Sequence, residues 1–165
     1  MTRPDAQQTA LLPPMKWNAW GDPAEAKPLS DGIRTLLEQA LGVEASAGEE
    51  IQAEQVRLRP SALSDADRDA LACIVGPDHC RTDDQGRLLR AGGKSTLDLL
   101  RRRDPGEQDA PDAVVLPGSE DEIGAILRFC SEYRIAVVPF GGGTSVVGGL
   151  DPLRGEFRAV ISLDL

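Results

Sequence analysis

Histidine occurs once in this sequence, tyrosine once, tryptophan twice and phenylalanine three times, so imidazoles and aromatic rings are scarce among its 165 residues. A serine or cysteine nucleophile activated by an imidazole would have to use His79. That residue sits in "GPDHC", a turn-forming stretch after a helical pattern, where a surface turn residue is expected. Cysteine is nearly as sparse. Cys73, Cys80 and Cys130 are odd in number and form no C-x-x-C pair, which excludes a disulfide framework and suggests reduced, mostly buried thiols. Cys73, His79 and Cys80 lack a fourth ligand at a zinc spacing, so no metal is expected.

Positive charge is also in deficit: 18 Lys and Arg stand against 27 Asp and Glu, a formal net charge of -9. Nucleic acid and anionic membrane surfaces need a basic patch, so neither is an expected partner. The one compact basic cluster, Arg101 to Arg103, reads as a solvated helix end favoured by the helix dipole. No apolar run approaches the length of a membrane span, and "MTRPDAQQTALLPP" has no basic start followed by an apolar core. A cytoplasmic location is therefore expected. The 41% hydrophobic and 27% charged content is that of an ordinary globular domain.

Against these absences, glycine is abundant, at 17 residues. Before its main concentration the chain reads as an irregular arm over about the first 28 residues, carrying Trp17 and Trp20 in "MKWNAWGD". Rings three residues apart in such a loop are expected to pin it to the body of the protein. "SDGIRTLLEQALGVE" predicts a helix capped by Ser30 or Asp31 and ended by Gly42, with Ile33, Leu36, Leu37, Ala40 and Leu41 on one face. A polar connection runs to about Arg59. "SDADRDALACIVG" predicts a second helix, with Ser64 as cap, Leu71 and Ile74 inward and Gly76 at the end. "AGGKSTLDLLRRRDPG" contains Gly93, Lys94 and Ser95, but Leu88 stands where a P-loop needs its first glycine. Ser95 instead predicts a short helix with Asp98 completing a capping box and Leu97, Leu99 and Leu100 inward.

From residue 113 the pattern becomes alternating strand and helix. "AVVLP" suits a strand buried on both faces. "GSEDEIGAILRFCSEYRI" predicts a helix capped by Ser119 with Glu122, and a stripe of Ile123, Ile126, Leu127 and Cys130. "IAVVPF" and "AVISL" are two more buried strands. Strand, helix and strand at this spacing make a βαβ unit with parallel strands. The third strand, Val160 to Leu163, is expected to leave an unpaired edge. The whole is expected to be α/β, α+β overall, with a helical N-terminal region at 1–110 and an α/β region of about three parallel strands at 111–165.

"PFGGGTSVVGG" leaves the carboxyl end of the second of these strands, where ligands of α/β sheets usually bind. Glycine lets another molecule approach the main chain, and successive N–H groups with the Thr144 and Ser145 hydroxyls can converge on a phosphate. A Rossmann fingerprint is excluded, because Val146 holds the sixth position and Pro152 and Gly155 oppose a following helix. The anion would be held by loop amides alone.

"DAVVLPGSEDEI", the crossover helix and "VVPFGGGTSVVGGL" together resemble the FAD-binding domain of the vanillyl-alcohol-oxidase type of flavoproteins. Within it, "MKWNAWGD", "LLRAGGKSTLDLL" and "PFGGGTS" are similar to the alkyldihydroxyacetonephosphate synthases and their bacterial relatives, the FAD-linked oxidases. The resemblance implies FAD as cofactor, its pyrophosphate wrapped by Pro139, Phe140, Gly141, Gly142, Gly143, Thr144 and Ser145, and its adenine side near Pro117. It implies either acyl-to-alkyl exchange through a flavin N5 adduct or hydride transfer to the same atom. The substrate would be a small molecule, acyl-dihydroxyacetonephosphate and a fatty alcohol in the synthase branch, and the full-length protein could be a homo-oligomer. The family's second lobe and substrate cap have no counterpart in these residues. Catalytic residues therefore stay unassigned, and the 165 residues alone are expected to be inactive and to bind FAD weakly. A non-catalytic α/β phosphate-binding or interaction module is the alternative.

Overall fold

The computed structural model describes residues 16–42, 51–104 and 106–165; part of the expected arm and of the polar connection lies outside them. Five helices form where a side chain caps the first turn. α1 (Asp31–Leu41) starts at Ser30, whose hydroxyl accepts from the Ile33 N–H, and stops at Gly42 with φ 62°. α2 (Asp65–Val75) starts at Ser64. α3 (Asp84–Leu89), absent from the sequence reading, is capped by Asp83, which accepts from Gly86 N–H at 2.8 Å. α4 (Thr96–Arg102) carries the reciprocal capping box between Ser95 and Asp98. α5 (Glu120–Glu132) is capped by Ser119, while the Glu122 carboxylate reaches back to Gly118 N–H at 2.8 Å.

The strands divide into a small parallel pair, β1 (Arg57–Leu58) with β3 (Glu107–Gln108), and a four-stranded sheet. The larger sheet comprises β2 (Cys80–Arg81), β4 (Ala113–Val115), β5 (Ile135–Phe140) and β6 (Ala159–Asp164), in the order β2-β4-β6-β5. β4, β6 and β5 are parallel, as expected, and β2 joins antiparallel to β4. The open edge is not, as expected, the strand at Val160 to Leu163. β6 lies between β4 and β5 and is hydrogen-bonded on both sides, so Val160 to Leu163 is the centre of the sheet and β5 is an edge. Six consecutive residues of β6 pair with β5, and three with β4, which makes the last strand the one that joins the others. Pro139 is tolerated because an edge strand needs no donor on its open side.

Side-chain alternation and the register put Ala113, Val115, Ile135, Val137, Ala159, Ile161 and Leu163 on one face. There they meet Leu71 and Val75 of α2 and Ile126 and Cys130 of α5 in the main core. Val114, Val160 and Ser162 on the other face are also buried, whereas Ala136 and Val138 of β5 are only half-buried. Asp112 closes the start of the sheet. Its carboxylate accepts from Ala62 N–H and Val160 N–H, each at 2.7 Å.

Several expected inward residues face solvent. Leu97 and Leu100 are exposed because positions 95, 98, 99 and 102 share the inner face of α4, and that face holds Asp98, Leu99 and Arg102. Arg102 is therefore buried, unlike the solvated helix end expected for the arginine cluster. Leu127 is exposed on α5, and no residue of α1 is buried. Cys80 and Cys130 are buried free thiols, but Cys73 is exposed.

Candidate functional site

The carboxyl ends of the parallel strands form one edge. The register sets Val115 of β4 beside Leu163 and Phe140 of β5 beside Asp164, so the turn at Pro117 and the loop from Pro139 flank the end of β6. Pro117 is half-buried directly after β4, and Pro139 and Phe140 are the last residues of β5.

Gly141, Gly142 and Thr144 are exposed, Ser145 is half-buried and Gly143 is buried. A Cβ on Gly141 would meet nothing within 4 Å, and one on Gly142 only the Thr144 methyl at 4.0 Å. Gly143 differs. Its φ is 68°, and a Cβ there would come within 2.8 Å of the Phe140 ring. Among the described residues, none of the N–H groups from Gly141 to Ser145 donates to a protein acceptor. Five adjacent amides are thus left to solvent or a ligand. The Ser145 hydroxyl is partly committed, accepting from Gly149 N–H at 3.3 Å.

The loop rests on two supports that the sequence reading did not assign. Phe140 lies under Arg90, whose guanidinium carbon is 5.6 Å from the ring centroid. Arg90 also donates from Nε to the Asp164 carboxylate at 3.0 Å, and both side chains are nearly inaccessible. A charged pair desolvated to this degree fixes the geometry at the strand ends more than it adds stability. The second support is the segment Ala91–Ser95. Lys94 N–H donates to the Ser145 carbonyl at 2.6 Å, and a Cβ on Gly93 would overlap that same carbonyl. An arginine and a lysine inside the apolar context of "LLRAGGKSTLDLL" were the available signal.

Lys94 itself is buried, and its ammonium points away from the loop, to the carbonyls of Lys16 and of Trp17, the latter at 3.3 Å. Burial, and then the Arg102 charge, push its amine down to about 8. Arg102 donates to the Trp17 carbonyl and, at 2.9 Å, to that of Gly92. Burial lowers its pKa too, while Asp98 and Asp151 oppose the shift. The arm around Trp17 is thus held by its carbonyls, and Trp20 is exposed, contrary to the expectation of two rings pinning it.

A groove of about 520 Å³ lies beside α4, lined in part by Asp98, Arg101, Asp109 and Asp151. Arg101 is already paired with Asp98 at 3.7 Å and Asp151 at 3.4 Å, so this lining offers little to a pyrophosphate. His79 lies half-buried in a 3-10 turn, its carbonyl accepting from the Leu116 N–H at 2.9 Å, with Nε2 unpartnered among the described residues. Among these residues no group of three His, Cys, Asp or Glu could hold a metal ion, and no helix is long and apolar enough to cross a membrane.

Residues 111–165 match the FAD binding domain family. Protein Rv2250A of Mycobacterium tuberculosis is 68% identical over 108 residues, which cover 66% of this chain and 72% of that protein. Alkyldihydroxyacetonephosphate synthase of Trypanosoma brucei brucei is 31% identical over 173 residues, covering 92% of this chain and 28% of the synthase. A solved alkyldihydroxyacetonephosphate synthase superposes on 94% of this chain with a TM-score of 0.76 and 26% identity, covering 33% of that structure. The chain thus spans about a third of the length of the synthases it matches.

Proposed function

The chain belongs to the FAD-linked oxidase family, and from that premise we propose that its glycine loop holds the pyrophosphate of FAD. The observation that carries this reading is the run of free main-chain donors from Gly141 to Ser145 beside open space at Gly141 and Gly142. These residues fit the cofactor: N–H groups without protein acceptors can bond to phosphate oxygens, the exposed Thr144 hydroxyl adds a donor, and Pro117 across β6 borders the adenine side. Pro139 and Phe140 carry the loop off the strand and anchor it. When bound, the flavin supplies either hydride acceptance or acyl-to-alkyl exchange, and the protein supplies binding and orientation. The likeness to the trypanosomal synthase runs through the arm, over 92% of the chain, and supports the synthase branch. On that reading the complete enzyme acts on acyl-dihydroxyacetonephosphate and a fatty alcohol, in ether-lipid synthesis, in the cytoplasm.

Calorimetric titration with FAD tests the loop. The 165-residue chain is expected to bind FAD weakly, because the loop reaches only the pyrophosphate and adenine side of a long ligand, and affinity scales with the contacts made. Gly142→Val is the informative variant. Its φ is not in the left-handed region and its Cβ meets open space, so the valine would intrude on phosphate space without disturbing the loop. The expected result is loss of FAD binding with an unchanged thermal melt. Binding equal to that of the parent would reduce the loop to a connector.

A further inference from the structure

Hydrogen bonds join the loop to the arm through one short segment. Ser145 receives the Lys94 N–H, Gly93 lies against the same carbonyl, and the Gly92 carbonyl is held by Arg102. The Lys94 ammonium and the Arg102 guanidinium then both reach carbonyls of the segment at Lys16 and Trp17. Without that segment, two buried cations would lose acceptors and would have to turn toward water, and the main chain at 92–94 would move with them. On its strand side the loop is anchored by Phe140 under Arg90, and on the arm side it depends on the 92–94 segment. Its amides from Gly141 to Ser145 make no bond to the described residues, so Ser145 is its principal tether on this side.

We propose that Lys94 and Arg102 are positioning residues that couple docking of the Lys16–Gly21 segment to the shape of the FAD loop, so that the arm and FAD strengthen each other's binding. This rests on the loop's assignment to the FAD pyrophosphate. Coupling of this kind is reciprocal: if the docked arm favours FAD, then FAD must favour the docked arm by the same factor.

Hydrogen exchange of the amides at 16–21, measured on the 165-residue chain with and without saturating FAD, reads one direction. FAD titration of the parent, Lys94→Met and Lys94→Arg reads the other. FAD is expected to slow exchange at 16–21 in the parent. In Lys94→Met, FAD binding is expected to weaken about tenfold and the protection to vanish, with both recovering in Lys94→Arg. Lys94→Met binding FAD as tightly as the parent, or unchanged exchange at 16–21 in the FAD-bound parent, overturns the coupling and leaves the loop assignment standing. Should Lys94→Met lose its cooperative melt, the exchange comparison on the parent decides alone. Absence of FAD binding in the parent overturns the loop assignment and the coupling together.

Discussion

The Lys94 amine titrates at about 8 in the folded chain against an ordinary 10.5. Between these values the unfolded chain binds more protons than the folded one, so stability rises with pH across the window. Below pH 8 the full cost of a buried ammonium is present. The buried thiols act in the opposite sense. Burial raises Cys80 above its ordinary 9.0 and pushes Cys130 up to about 11, so the folded chain holds protons that the unfolded chain releases, and stability falls as pH rises above 9. Urea midpoints are therefore expected to increase from pH about 8 to 9 in the parent and to stay flat or fall in Lys94→Met. A parent midpoint that falls over this interval contradicts the assignment. At this scale the glycines separate too: Gly143 is required for its positive φ and its contact with Phe140, whereas a Cβ at Gly141 or Gly142 would meet open space.

One stretch, residues 87–102, contains all the buried cations among the described residues: Arg87, Arg90, Lys94 and Arg102. Each meets a specific acceptor. Arg87 donates to the Pro111 and Arg59 carbonyls at 2.8 and 2.6 Å, Arg90 to Asp164, and the other two to the arm. α3 and α4 are short helices, too small to bury wide apolar faces, and they are tied to their surroundings by these charged hydrogen bonds. Gly93 is the point of closest approach to the loop. Gly93→Val would force its Cβ into the Ser145 carbonyl, which is backbone and cannot rotate away. The expected cost is about 3 kcal/mol, with weaker FAD binding, in contrast to the structurally neutral Gly142→Val. Equal urea midpoints for Gly93→Val and the parent would show that the segment yields easily.

Across the whole molecule the sheet is unevenly covered. α2 and α5 cover one face apart from half-buried Val137, while Ala136 and Val138 of the edge strand are half-buried on the other. After the glycine loop, Val147 is 88% exposed, with Val146, Leu153 and Phe157 also exposed. An open edge and exposed apolar side chains recruit other chains. Light scattering of the 165-residue protein is expected to rise with concentration, and replacing both Val146 and Val147 by serine should lower it. A parent that stays monomeric over the whole range would show that these surfaces are harmless.

The helices and strands were readable because their signals are local. Ser30, Ser64, Ser95 and Ser119 each cap the next turn through a bond spanning three residues, and "IAVVPF" and "AVISL" carry their strand propensity in their own side chains. The position of the glycine loop was legible for the same reason, since "PFGGGTS" follows directly on the strand that its own residues specify. Strand order was not. Hydrogen bonding between β6 and both β4 and β5 is a relation among segments that neither "AVISL" nor its neighbours encode singly, so the last strand looked like an edge and proved to be the centre. Arg102, expected at a solvated helix end, is buried for that reason, as are Arg90, Lys94 and Asp112: their partners lie 85, 74, 78 and 50 positions away. Only folding brings those acceptors within reach, and only their presence makes burial of the charges tolerable.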